Sequence, residues 1–315
     1  MSTKPMLASD YDSEKVRFPC LAQPKIDGVR ALNLFGNLTG RSLKQHANKH
    51  VTQYYSDPAF IGLDGEMACD RITHPDLCRI TTSALNTISG TPFTQWWLFD
   101  YITEETIHLP YHERYKALTT RLTELCLSES RAVHLRIVAS NMVHNQKELN
   151  FWIERHLEMG FEGTILRDPN GMYKSGRSTV REGGLLRIKE FMDAEAVVIR
   201  VVEGNKNTNE QQQNELGQAY RTTHQENIVP NGMVGNIVCR NLMDVKDKSG
   251  KILIAKDQEI VVAPGKMSHE ERIYWWENQD VIVGKTIKFQ FFPKGIKDKP
   301  RFPTFQSFRA ASDMG

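Results

Sequence analysis

Apolar residues recur along this chain with two different periods, and the dominant period changes near residue 190. Tyr115, Leu118, Leu122 and Leu125 return every three or four positions, which predicts a helix over 112–127. Leu149, Trp152, Ile153 and Leu157 predict a second helix over 146–159, which Gly160 stops before the chain passes into Glu162. Short runs of alternating apolar residues lie around these helices, so residues 1–190 read as an α+β domain of antiparallel sheets flanked by helices. From 191 to 315 the pattern is mostly of period two, with strands predicted at 194–202, 233–240, 251–257, 258–263 and 284–292. One helix interrupts them near 269–278, opened by a capping box in which Glu271 follows Ser268 at three residues. Several short strands with one helix suit a partly open five-stranded barrel. The stretch from Glu203 to Val229 is rich in Gln and Asn and poor in apolar residues, and reads either as a long mobile loop that orders on a partner or as plain disorder.

Charge interrupts the apolar pattern at a few places. Glu66 stands inside the strand-like run Phe60–Ala68, where a carboxylate needs a partner or a ligand. Glu162 stands beside Gly163 at the start of the β-branched run that ends at Asp168. In Leu185-Leu186-Arg187-Ile188-Lys189 the period-two geometry turns Arg187 and Lys189 to one face. Six basic residues against two acidic ones between 167 and 189 mark that region for anions. The aromatic run Trp96–Ile102 is read mainly as core, with one face available to a base.

Between two strand-like runs lies Gln23-Pro24-Lys25-Ile26-Asp27-Gly28-Val29-Arg30. A lysine at a strand-to-turn junction, a glycine where backbone or phosphate comes close and an arginine for phosphate oxygens suit a covalent lysine nucleophile for a nucleoside triphosphate. Read alone, the same residues also describe a solvated hairpin turn.

Composition narrows the class only a little. With 315 residues, 40% hydrophobic content and a formal charge of +2, the chain can bury a sizeable core and divide into two domains. Positive charge is local: residues 285–301 carry six Lys or Arg against Asp298, interleaved with Phe289, Phe291 and Phe292. Such a stretch is either a salt-sensitive contact with nucleic-acid phosphates or an edge strand guarded by lysines. Five scattered cysteines without a C-x-x-C pair argue against a zinc site or disulfide framework and suit a reducing cytoplasm, or that of a host cell. No leader and no membrane-length apolar run is evident.

Taken together these segments resemble the small viral type of ATP-dependent DNA ligase, within the covalent nucleotidyltransferases. The resemblance runs from about residue 18 to the end and rests on Lys25-Ile26-Asp27-Gly28-Val29-Arg30, Gly40-Arg41-Ser42, Leu63-Asp64-Gly65-Glu66, Trp97-Leu98-Phe99-Asp100-Tyr101, Glu162-Gly163-Thr164-Ile165, Leu186-Arg187-Ile188-Lys189 and Arg301-Phe302-Pro303-Thr304-Phe305. It implies a nucleotidyltransferase domain over 1–190 and an OB-fold barrel over 191–315. It further implies that ATP and Mg2+ (or Mn2+) serve as cofactors, that AMP becomes bonded to Lys25, and that nicked duplex DNA is the partner of a minimal monomeric enzyme. DNA is then what a mobile loop over 203–229 would order on.

By the same resemblance, Gln23, Arg30, Arg41, Glu66, Phe99, Ile165 and Lys189 bind the nucleotide, with Phe99 and Ile165 on opposite faces of adenine. Glu162 and Glu66 hold the metal, Arg187 and Lys189 bind phosphate, and Arg301 and Asp313 act on the leaving pyrophosphate. Arg187 stands where the family usually has lysine, which keeps the charge and changes its shape. A free lysine, with a pKa of about 10.4, is protonated at neutral pH, so nucleophilic Lys25 requires surroundings that favour the neutral amine; Arg187, Lys189 and a cation are the expected source. RNA ligases, mRNA-capping enzymes and a catalytically silent nick-binding protein are the rival readings.

Overall fold

The structure, a computed structural model, describes residues 3–189, 191–213, 219–222, 224–246, 250–293 and 301–309. The chain forms two compact units that divide after Lys189.

The first unit is built on two five-stranded sheets. One has the order Ser9–Asp10, Leu185–Lys189, Gly163–Arg167, Cys20–Lys25, Asn141–Val143. The other has the order Leu38–Thr39, Val29–Asn33, Leu63–Ala68, Gln95–Tyr101, Leu135–Ile137. Pairing is antiparallel except where Ser9–Asp10 joins Leu185–Lys189 and where Leu135–Ile137 joins Gln95–Tyr101.

Helices cover the sheets through apolar faces. Tyr111–Ser128 packs on the second sheet through Leu118 and Leu125, in a core with Trp96, Leu98, Phe60 and Leu63. Gln146–Glu158 packs on the first sheet through Leu149, with Trp152 and Ile153 beside it. Asn145 caps this helix by accepting from the Glu148 N–H at 3.0 Å, and Gly160 leaves it with a φ of 93°, a left-handed turn that suits glycine. Two further helices, Lys49–Tyr55 and Leu77–Asn86, also flank this unit.

The second unit is built on an antiparallel five-stranded sheet in the order Glu259–Val262, Ile228–Asn241, Met192–Asn207, Thr286–Phe292, Arg301–Phe308. A parallel bridge between Ala263 and Thr304 joins its two edges, where Ala263 N–H donates to Pro303 O at 2.8 Å and Phe305 N–H to Ala263 O at 2.9 Å. Alternate residues point inward, so Ala196, Val198, Ile237, Ile287, Phe289 and Phe291 form an apolar core. The capping box at Ser268 and Glu271 opens the helix His269–Glu277. Among the described residues no helix is long and apolar enough to cross a membrane, and all five cysteines are free.

Three sequence expectations need correction. The stretch 203–229 is not a plain loop: the strand from Met192 runs on to Asn207, where Asn205, Lys206 and Asn207 pair with Pro230, Val229 and Ile228. Beyond it Gln211–Gln213 pairs with Ala219–Arg221, and the buried Asn209 side chain donates to Thr222 O at 2.9 Å and His224 O at 3.0 Å. Amide side chains make the contacts that apolar ones make elsewhere, which is why polarity looked like disorder. The strand expected at 251–257 shortens to Ile252–Ile254 and pairs with Val245–Lys246 in a separate ribbon. Phe289 and Phe291 are fully buried, so they do not interleave exposed aromatics with the lysines.

Candidate active site

The segment from Gln23 to Arg30 lies where the chain crosses from one sheet of the first unit to the other. Lys25 is the last residue of its strand in the first sheet, and Val29 begins the adjacent strand in the second. The turn between them cannot carry a side chain at residue 28, where a Cβ would come within 2.3 Å of Met67 O. Register then gathers the site. Lys25 pairs with Gly163 and Gly163 with Lys189, while Gln23 pairs with Ile165 and Ile165 with Arg187. Side chains on one face of a sheet stand side by side across such rungs. Glu66 comes from the second sheet, directly across from Arg30 on one side and Trp97 on the other.

A pocket opens at this junction, lined by Gln23, Lys25, Arg30, Glu66, Phe99, Ile165 and Arg187 among others. Phe99 is displaced into it by a bulge, since Asp64 pairs with Asp100 and Gly65 with Leu98, leaving Phe99 without a partner across the ladder. Tyr111 fixes that bulge by donating its hydroxyl to Phe99 O at 2.8 Å, and Gln23 Nε2 donates to Tyr111 Oη at 2.8 Å.

Ion pairs organise the charges. Glu162 accepts from Lys25 Nζ through one oxygen and pairs with Lys189 Nζ at 2.5 Å through the other. Burial opposes the Glu162 charge, but the two ammonium groups hold its pKa down at about 2. Burial acts the other way on Glu66, pushing it up to about 7 although Lys25 and Arg30 lie near. Lys189 is itself lowered by burial, with Glu162 opposing. Arg30 gives Nε and Nη2 to the two oxygens of Asp64, each at 2.6 Å, and its guanidinium carbon lies 4.6 Å from the centre of the Phe99 ring. Deeper in, Asp100 accepts from Arg114 Nε at 2.8 Å and Nη2 at 3.0 Å and from Arg167 Nη1 at 3.1 Å, all three side chains being buried. Arg187 is held by Asp10.

This geometry corrects the expected crowd of unopposed cations. Each of these positive groups has a carboxylate beside it, and for the buried Arg114 and Arg167 a bare charge so far out of water would cost more than a paired one. Arg30, read as a phosphate fork, has its Nε and Nη2 edge engaged by Asp64. Arg41 is exposed on the turn after Leu38–Thr39 and does not line the pocket. Arg301 opens a strand of the second unit, and Asp313 lies outside the described residues. Lys288 pairs with Asp193 at 2.6 Å. Sequence reasoning missed Asp10, Asp64, Asp100 and Arg167 as participants; the signal for two of them was a carboxylate inside each of the apolar runs around Asp64 and Asp100.

Two sheets of antiparallel strands with a lysine-bearing crossover between them make up a nucleotidyltransferase fold. Residues 5–189 match the family described as the ATP dependent DNA ligase domain, and the chain belongs to that family. It is 22% identical over 144 residues to a DNA ligase of African swine fever virus, a match covering 46% of this chain and 32% of that protein. The matched part is thus about a third of the length of such relatives. Among solved structures, Chlorella virus DNA ligase-adenylate is 28% identical, with 98% of each chain covered and a TM-score of 0.53. A Lig E DNA ligase, 20% identical, shares the fold over 98% of this chain and 100% of its own, with a TM-score of 0.67.

Proposed function

We propose that this protein is an ATP-dependent DNA ligase that seals 3′-hydroxyl/5′-phosphate nicks in duplex DNA. Lys25 attacks the α-phosphorus of ATP, forming a nitrogen–phosphorus bond as the bond to pyrophosphate breaks. The 5′-phosphate oxygen of the nick then takes AMP from the lysine, and the 3′-hydroxyl displaces AMP to form the phosphodiester. These are transfers between fixed partners, so orientation and charge neutralisation supply most of the catalysis. The observation that carries the reading is Lys25 at the sheet crossover, in one pocket with Phe99 and Ile165 and joined to Lys189 through Glu162.

Phe99 and Ile165 hold the adenine, and Lys189 and Arg187 receive phosphate oxygens. Glu66 and Glu162 suit magnesium. Among the described residues no group of three or more His, Cys, Asp or Glu forms a cage, and Mg2+ commonly takes one or two carboxylates with water and substrate phosphates. When bound, the ion neutralises charge on the phosphates. The second unit is read as an OB-fold domain, with Arg301 and Asp313 acting on pyrophosphate and its sheet meeting nicked DNA as a monomer.

The test is incubation with α-labelled ATP or GTP and magnesium, followed by a chase with nicked duplex. The expected result is an acid-labile labelled protein from ATP, lost on the chase as sealed DNA appears. Label from GTP alone would transfer the reading to capping chemistry, and no label would leave a silent nick-binding protein. Lys25→Ala is expected to abolish labelling with the fold intact.

A further inference from the structure

Arg187 reaches the pocket from the strand Leu185–Lys189, and its guanidinium is held there. Nε donates to Asp10 Oδ1 at 2.7 Å and Nη2 to Oδ2 at 3.2 Å, so a carboxylate fills one edge of the fork. Asp10 is carried into place by backbone pairing. Ser9 pairs with Leu186 and Asp10 with Arg187, and the Tyr11 N–H donates to Arg187 O at 3.0 Å. The residues before it are tied down as well, Met6 and Leu7 pairing with Gly176 and Arg177, while Leu7 and Ala8 line the pocket itself.

Stability does not account for this pair. The Asp10 side chain is 71% exposed and that of Arg187 33%, and an ion pair so open to water adds little to folding. Its effect is on orientation. A guanidinium has five N–H donors in a plane, and two of them are engaged by Asp10. An unpaired arginine on the same stem rotates freely among its rotamers, whereas a bidentate carboxylate fixes the plane and leaves the other edge for a phosphate.

We propose that Asp10 is a positioning residue for the chemistry at Lys25, fixing the plane of Arg187 so that its remaining donors meet a nucleotide phosphate. This rests on reading the pocket as a site of lysine adenylylation. The requirement belongs to arginine. A lysine ammonium is a compact charge with no plane to fix, so Asp10 has no such task beside a lysine.

The experiment measures adenylylation with α-labelled ATP over a range of concentrations in wild type, Asp10→Ala, Asp10→Asn, Asp10→Glu, Arg187→Lys and the double variant Asp10→Ala/Arg187→Lys. Both Asp10→Ala and Asp10→Asn are expected to raise the ATP concentration for half-maximal rate about fivefold or more, with less than about a threefold change in maximal rate and an unchanged melting temperature. Asp10→Glu, which keeps the carboxylate, restores most of the loss, and in the double variant the alanine change adds nothing to the effect of Arg187→Lys alone. Wild-type ATP dependence in Asp10→Asn overturns the proposal. So does an alanine effect of equal size in the Arg187→Lys background. Failure of wild-type protein to label at all overturns the ligase reading and this one with it, whereas normal labelling without any Asp10 effect overturns this one alone.

Discussion

Around its pocket the first unit buries Asp64, Asp100, Arg114 and Arg167, whereas the buried polar side chains of the second unit, among the described residues, are the uncharged Asn209, Asn241 and Thr286. The second unit encloses a sheet packed with Ile, Val and Phe, and its charges lie in surface pairs such as Lys288 with Asp193 and Arg309 with Glu195. Apolar filling is the cheaper way to stabilise a core, because taking charges out of water costs several kcal/mol per ion before pairing returns any of it. The first unit carries that cost in the network of Asp64, Asp100, Arg114 and Arg167, which adjoins Phe99. These buried charges set the shape and field around Phe99 at a cost that apolar filling would avoid.

Removing a partner from that network gives the largest expected effect. Asp100→Ala leaves Arg114 and Arg167 buried without their carboxylate and is expected to cost about 3–5 kcal/mol in urea denaturation. A cost under about 1 kcal/mol would erase the contrast between the units. Next comes Glu66. Its folded-state pKa of about 7 lies above its ordinary 4.5, so the folded protein holds the proton more tightly than the unfolded chain does. That contribution is complete below pH 4.5 and is lost as pH rises through about 7. Glu66→Gln, which cannot ionise, is expected to gain on the order of 3 kcal/mol over wild type above pH 7 and nothing below pH 4, as read from denaturation curves across pH.

In the second unit, Ile287→Val removes one buried methylene and should cost about 1 kcal/mol, the same at every salt concentration and pH between 5 and 9. A pronounced salt dependence there would mean that charge matters to this core after all. The smallest effect belongs to Lys288→Ala, whose partly exposed pair with Asp193 should alter stability by no more than about 0.5 kcal/mol. A larger loss would place this surface closer in character to the pocket of the first unit.

How far the sequence was legible follows the same division. Tyr111–Ser128 and Gln146–Glu158 fall within a residue of the spans expected from apolar spacing, because each lays one apolar stripe on a sheet. Lys25, Glu66, Phe99, Glu162, Arg187 and Lys189 announce themselves as charged or aromatic residues in strand-like runs, Ile165 follows only from the family resemblance, and the structure gathers all seven at one junction. Asp10 was illegible. Two-residue strands have no period to detect, and its partner lies 177 positions away. The networks of Asp64 and Asp100 were half legible, since a carboxylate in an apolar run demands a partner without saying which one. The two small helices Lys49–Tyr55 and Leu77–Asn86 were missed, and the polar continuation of the long strands past Glu203 was hidden by its composition.

The carboxylate of Glu162 reaches Lys25 with one oxygen and Lys189 with the other, and those two lysines close strands that lie on either side of Gly163–Arg167 without pairing with each other. One side chain thus stitches together two strand ends that no backbone hydrogen bond joins, so a single change at residue 162 would release both amines at once.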